Sequence, residues 1–326
     1  MLAAALATSH HHHCGDLSTH NIGDTCKSSW HSLRPRLRPT QNSVGYAWVF
    51  RIQLEDMSSE QDAQDEMDSK VVPVVLGADG IAYVIDHHHH LAALDLSGFE
   101  HVHVTIHVAC DFSGLSNDEL WQALETHAFA YLHARPAGEP DALPVPMSPR
   151  LLPPSISFRA GNVTMADDRW RALSSFSRKV KSCSGCDGLN GAGNSNHPCR
   201  AYDRGCAASG VSQPFFEFRW AYFYNVAFAV NTSLWGSEAA AREFGTAYRA
   251  LQSPTPSAPA TDVDDWQGAA ALLVPLARDA SAGAFALPKS MGAAMAGPLP
   301  GYRAGMSGFP ADDPDCDMPS CTDAVR

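Results

Sequence analysis

A chain of 326 residues, 45% of them hydrophobic, is long enough to bury a full core as one large domain or two smaller ones. Its net charge of −12 excludes a general nucleic-acid coat, although a local basic groove is compatible with it. No apolar run reaches membrane-spanning length, so the composition is that of a soluble globular protein.

Met1–Ser9 has a short apolar stretch without a basic flank and is not taken as a leader, and His10–His13 reads as a tag-like or low-complexity tract. Residues 1–36 are polar, His/Ser/Arg-rich and aperiodic, which predicts an unstructured tail. The main domain is expected over 37–252. Tyr46, Trp48 and Phe50 alternate with smaller residues, predicting a strand from Gly45 to Gln53. Glu55 to Asp68 holds seven carboxylates and no base, so it reads as a solvated loop. Val71–Leu76 and Ile81–Ile85 flank Gly77-Ala78-Asp79-Gly80, a hairpin signal. The second strand runs into a helix capped by Asp86 that spans His87 to about Leu96 and stops at Gly98. His101–Val108 alternates strictly and predicts a strand. Ser116–Tyr131 reads as an N-capped amphipathic helix.

A proline-rich connection, Pro136 to Pro154, leads to a helix around Asp167 to Lys181. Residues 182–210 form a Gly/Asn/Ser/Cys insertion without an apolar pattern. Phe215–Ala229 reads as a buried helix and Gly236–Leu251 as another. A Pro/Ser/Thr-rich linker over 253–263, a helical extension over 264–303 and a tail over 304–326 complete the chain. The fold class expected is α/β, a mixed α+β arrangement in which a small mixed sheet carries flanking helices and a helical C-terminal extension.

The chemistry concentrates at Asp86-His87-His88-His89-His90. A helix N-terminus, a carboxylate and several imidazoles at one point suit phosphate chemistry or metal binding. On a helical wheel His87 lies with Leu91 and Leu94 toward the core, whereas His88 and His89 point away. His101, His103 and His107 share a strand face, read as the polar outer face of a half-covered sheet. If that face lies under the histidine helix, one polar pocket holds both sets. Arg169, Arg171, Arg178, Lys179 and Lys181 form a basic group, either a phosphate clamp or a solvated helix face. Glu217 sits inside an apolar run and is either ion-paired or a carboxyl with a catalytic task.

Nine cysteines are many for a cytosolic chain of this size. Cys14 with Cys26, Cys183/Cys186/Cys199/Cys206, and Cys316 with Cys321 fall in local clusters, which favours disulfides over zinc and an oxidising or extracellular compartment. Sequons at Asn162 and Asn231 point the same way. Cys110 stands alone and reads as a buried structural thiol.

At the histidine helix the chain resembles the ParB/sulfiredoxin superfamily, in particular its ParB-like nuclease branch, whose pattern is a strand followed by Asp-Gly-His-His-Arg-x-x-Ala-Leu. Asp86, His88, His89, Ala93 and Leu94 match it, while His87 replaces the glycine and His90 the arginine. Leu37-Arg38-Pro39-Thr40-Gln41 with Val44-Gly45, Asp167–Leu173, Phe216–Ala221 and Leu299–Tyr302 are similar to other segments of the branch. The resemblance spans roughly residues 37–303. It implies a compact mixed α/β domain with its catalytic or nucleotide-binding turn at the start of this helix. By position it implies Asp86 as general base or metal ligand, His88 and His89 as phosphate contacts, proton donors or metal ligands, and Gln41 as an orienting group. The remaining candidates are Glu217 for catalysis and His87, His90, Arg169 and Arg171 for phosphate.

An enzyme acting on phosphate esters or anhydrides, a nuclease by resemblance, is the first expectation. Its partners would be a small phosphorylated molecule, a nucleotide or nucleic acid as substrate, with a divalent metal (Mg or Zn) as cofactor. A kinase-like enzyme using ATP or CTP is the alternative within the superfamily. No helix-turn-helix follows the domain, and no sulfiredoxin Gly-Cys-His-Arg motif is present. A secreted, disulfide-stapled protein holding a metal or ligand without catalysis is the alternative outside enzymes.

Overall fold

The computed structural model describes residues 12–127, 129–177, 218, 221, 222, 224, 225, 238–251 and 265–272. Seven strands appear in its first third: β1 (His12–His13), β2 (Thr25–Ser29), β3 (Leu37–Pro39), β4 (Ser43–Val44), β5 (Val71–Leu76), β6 (Ala82–Val84) and β7 (His103–Asp111). All but β4 join one mixed sheet in the order β1-β2-β7-β5-β6-β3. The hairpin expected from the Gly/Asp turn is present as antiparallel β5 and β6, while β5 and β7 run parallel with a bulge after Val74. Short strands β8 (His133–Ala134) and β9 (Val145–Pro146) pair with each other, as do β10 (Phe158–Arg159) and β11 (Asn162–Val163). β12 (Ala166–Asp167) pairs with β4.

The helices are α1 (Trp30–Leu33), α2 (Tyr46–Arg51), α3 (Glu60–Asp68), α4 (His88–Ser97), α5 (Asn117–Thr126), α6 (Arg169–Ser177) and α7 (Glu238–Ala250). Together with the sheet they make the mixed α/β class that the sequence predicts. One face of the sheet, through Val72, Val74, Val84, Val104, Ile106 and Val108, packs against Leu91–Leu94 of α4 and against Ala63 and Met67 of α3. The other face, through Val75, Cys110 and Phe112, is covered by Leu120 and Leu124 of α5.

Several expectations are corrected. Residues 12–36 are not a tail: β2 pairs with β7 along Thr25–Ser29, and Leu17, Cys26, Trp30 and Leu33 are buried in the main core. Few apolar residues were needed, because a Cys14–Cys26 disulfide ties the segment down. Residues 46–51 form α2 instead of a strand, continuing into a π-helical turn over Ile52–Asp56. A short apolar run fits either period, and here the residues are helical, with Ala47, Val49, Phe50 and Ile52 all buried. The acidic block is not all loop. Ser59 caps α3 by accepting the Asp62 N–H, and early Asp and Glu complement the helix dipole. The helix expected to reach Tyr131 stops at Thr126, and Tyr131 instead lies beside residue 41. His103 and His107 lie on the face opposite Val104 and Ile106, so α4 does not cover them and the two histidine sets share no pocket. Cys110 is disulfide-bonded, not a lone thiol.

The Cys-rich insertion, the linker over 253–263 and the tail over 304–326 lie outside the described residues, save that 265–272 of the expected extension are helical, with Trp266 buried and stacked 5.9 Å from Phe176. No helix among the described residues is long and apolar enough to cross a membrane.

The C-terminal end of α4 is anchored by Asp95, which is fully buried. Its Oδ1 accepts from Trp30 Nε1 at 3.1 Å and Arg34 Nη1 at 2.9 Å, with Arg159 Nε at 3.3 Å. Its Oδ2 accepts from the Phe158 N–H at 2.8 Å and Ser157 Oγ at 3.3 Å. One carboxylate thus joins α1, α4 and β10. Asp95→Ala is expected to destabilise the fold by about 3 kcal/mol, because it strands buried donors and two guanidinium groups. Urea unfolding of the variant measures this, and a loss within error of zero contradicts the anchoring role.

Candidate functional site

Strand β6 ends at Val84, and two residues later the chain turns into α4. Asp86 is not the N-cap. That position belongs to His87, at φ 65° and ψ 20° in the left-handed region, and the Asp86 Oδ1 accepts the His87 N–H at 2.6 Å. His87 is the one non-glycine residue with positive φ among the described residues. A β-carbon there costs about 1–2 kcal/mol, which glycine would avoid. The His87 side chain makes no capping hydrogen bond to the first turn of α4. Its leading N–H groups have no acceptor within the helix and point out toward the turn.

Helix α4 is buried on nearly every side, through Leu91, Ala92, Ala93, Leu94 and Asp95, so positions away from the Leu91/Leu94 stripe are buried as well. His88 and His89 are buried, at 2% and 6% exposure, while Asp86, His87 and His90 are half-buried. His88 Nε2 accepts the Thr40 N–H at 3.3 Å, and His89 Nε2 accepts the Gly45 N–H at 2.9 Å. Both imidazoles therefore use Nε2 as an acceptor for backbone that has just left strand β3. Burial pushes the His88 imidazole down to about 3, aided by the charges of His87 and Arg171, with the Val84 carbonyl acting in the opposite sense. His88 is neutral at physiological pH. With Nε2 engaged, neither histidine presents that atom to a metal, and no group of three or more His, Cys, Asp or Glu among the described residues is arranged to hold one.

Gly45 explains why this junction closes. A β-carbon on it would sit 2.4 Å from the Ala172 backbone of α6, so only glycine lets α2 and α6 approach while its N–H reaches His89. The Gly45 requirement was present in the sequence as part of the Val44-Gly45 segment, but its packing partner lies 127 positions away and left no local signal.

The other expected residues divide. His90 faces α3, its Nε2 3.1 Å from Glu66 Oε1, with its ring 5.4 Å from that of His87. Burial raises the Glu66 carboxyl, but the hydrogen bond and charge of His90 and the charge of Lys70 outweigh it, leaving Glu66 below its usual range. Gln41 is buried beside the turn, and its Nε2 donates to the Ser43 carbonyl at 2.7 Å. Arg171 is buried, lies close enough for its charge to act on His88, and stands 5.3 Å over the Phe218 ring. Its backbone N–H caps onto Asp168 Oδ1 at 3.1 Å, and its Nη1 donates to Ser175 Oγ. Arg169 goes elsewhere. Its Nη2 donates to the Tyr248 and Leu251 carbonyls, at 3.0 and 2.6 Å, and it stacks 4.8 Å over Tyr248, sealing the end of α7. Glu217, Arg178, Lys179 and Lys181 lie outside the described residues.

The neutral His88 makes stability depend on pH. Its folded-state value is depressed, so protons bind preferentially to the unfolded chain between about pH 3 and 6.5. Stability contributed by the neutral form is complete above pH 6.5 and is lost as pH falls through that window, by up to about 1.4 kcal/mol per pH unit. His88→Gln, whose amide oxygen can accept the Thr40 N–H without titrating, should flatten this dependence. Unfolding free energies measured from pH 7 to 4 check it, and identical slopes in both proteins contradict the assignment.

Comparison with known proteins follows the same outline. A search of the curated proteins finds no match. Among solved structures, protein Atu1540 from Agrobacterium tumefaciens is similar at 23% identity and a TM-score of 0.40, over 64% of this chain and 86% of that one. Residues 32–185 match the family model described as "Putative ParB-like nuclease". That span contains β3 to β7, the left-handed turn and the helix whose histidines hold it, and over these residues the chain is similar to ParB-like nuclease domains.

Proposed function

We propose that the chain acts on phosphate esters, as a nuclease-like hydrolase, at the turn formed by Asp86, His87 and the N-terminus of α4. The observation that carries this reading is the left-handed His87. The family pattern has glycine at this place, and here a histidine is held in the glycine conformation at a cost in stability. Strain of this kind is retained where the side chain does something a relaxed residue cannot.

The first-turn N–H groups and the helix dipole favour an anion at this point, and the Arg171 charge acts on His88 of the same turn. Asp86, half-buried with Oδ1 on the His87 N–H, would serve as general base toward a water or hydroxyl, or as a ligand for a divalent cation. His87, and His90 in ring contact with it, supply imidazoles on the open side for phosphate contact or proton donation. His88, His89 and Gln41 act as positioning residues, holding the helix start against residues 40–45. The Cys14–Cys26 disulfide supports an oxidising compartment for the protein.

His87→Gly separates function from folding, because the two effects have opposite signs. It should stabilise the protein by about 1 kcal/mol by relieving the positive φ. Turnover of a phosphodiester such as bis-p-nitrophenyl phosphate or single-stranded DNA, assayed with Mg or Zn, should fall about 10²-fold or more, as it should in Asp86→Asn. Wild-type turnover in both variants overturns the proposal. Turnover appearing only when ATP or CTP is supplied moves the same turn to the kinase-like alternative.

A further inference from the structure

One buried group takes no part in the turn and has no partner of its own. Residues 131–135 run extended beside residues 40–41, with the Tyr131 N–H donating to the Thr40 carbonyl at 2.9 Å and a parallel bridge from Gln41 to Tyr131. His133 is 5% exposed, and neither of its ring nitrogens has a hydrogen-bond partner. Its ring lies 5.1 Å from that of Tyr131, which stacks on Phe218 at 4.0 Å. The imidazole is thus fixed in place by aromatic contact and left unsatisfied at both polar atoms.

Arg135 follows on the same extended segment, its side chain 8% exposed. Nη1 donates to the Asn225 Oδ1 at 2.7 Å and to the Ala142 carbonyl, and Nε lies 3.1 Å from Asp168 Oδ1. Nη2 has no partner. The Tyr131 phenol is raised by burial first and then by the Asp168 charge, with the Arg135 charge acting the other way. Burial holds the His133 imidazole below its ordinary value, so it is neutral near pH 7 and offers one N–H.

Buried polar atoms in native proteins are nearly always hydrogen-bonded, and an idle donor loses its hydration without return. Here an imidazole N–H and a guanidinium Nη2 are idle on neighbouring side chains of one segment. We infer that His133 and Arg135 form a binding subsite for a small oxyanion, phosphate or carboxylate, which accepts from Arg135 Nη2 and from the His133 ring N–H. A charge-assisted bond from guanidinium supplies most of the affinity, and the imidazole N–H supplies direction. The inference stands whether or not the turn at His87 is catalytic.

The test uses the full chain with two probes, inorganic phosphate and acetate, followed by calorimetric titration and by the 15N resonances of the His133 imidazole. The ring resonances should shift on saturation with one of them, which identifies the anion class. His133→Phe keeps the ring and its stacking but removes both nitrogens. It should melt at or above the wild-type temperature without anion and bind the effective anion about tenfold more weakly. Unshifted His133 resonances with both probes overturn the inference, as does undiminished affinity in His133→Phe. The resonance titration needs no variant, so it decides the matter even if His133→Phe fails to fold. An Asp86→Asn protein that loses turnover yet keeps the His133 response separates this subsite from the turn.

Discussion

The architecture around the turn depends on two neutral imidazoles accepting backbone hydrogen bonds. Strand β3 ends at Pro39, and the N–H groups of Thr40 and Gly45 then enter the interior away from the sheet. Left alone, each would be a buried donor without an acceptor, a loss of about 1–3 kcal/mol apiece. His88 Nε2 and His89 Nε2 supply those acceptors and so bind the first turn of α4 to the crossing segment. The arrangement works only with uncharged rings, and burial enforces that state at His88. At the far end of the same helix Asp95 joins α1 and β10, so α4 is fixed at both termini.

A helix held this way has its N-terminus set in position before any ligand arrives. The chain enters the helix through His87, which is held in the left-handed region. Asp86, His87 and His90 are the half-buried groups of this turn, and the Arg171 charge acts on the buried His88 among them. A helix start next to these groups has the polarity an anionic substrate requires.

Much of this was legible in the sequence where the signal is local. The β5–β6 hairpin, strand β7, helix α4 and its stop at Gly98 follow from β-branched runs, alternation and turn residues. The Cys14–Cys26 pairing follows from spacing. The errors came where tertiary context decides. Period-2 alternation of Tyr46, Trp48 and Phe50 suggested a strand, yet Gly45 packing on Ala172 and the aromatic contacts of Tyr46 and Trp48 with Phe158 and Phe176 favour a helix. The burial of His88 and His89 was hidden because a wheel assumes one buried stripe, whereas α4 is enclosed on nearly every side. The Arg169 contact with α7 and the idle nitrogens of His133 arise from residues far apart in the chain and leave no pattern in it.

The account rests on the protonation state of the two buried rings, and long-range 1H–15N correlation of the histidine side chains at pH 7 reads it directly. The account predicts that His88 and His89 are both neutral, with the proton on Nδ1 and an unprotonated, hydrogen-bonded Nε2. A protonated Nε2 on either ring, as the other tautomer or as imidazolium, would contradict it.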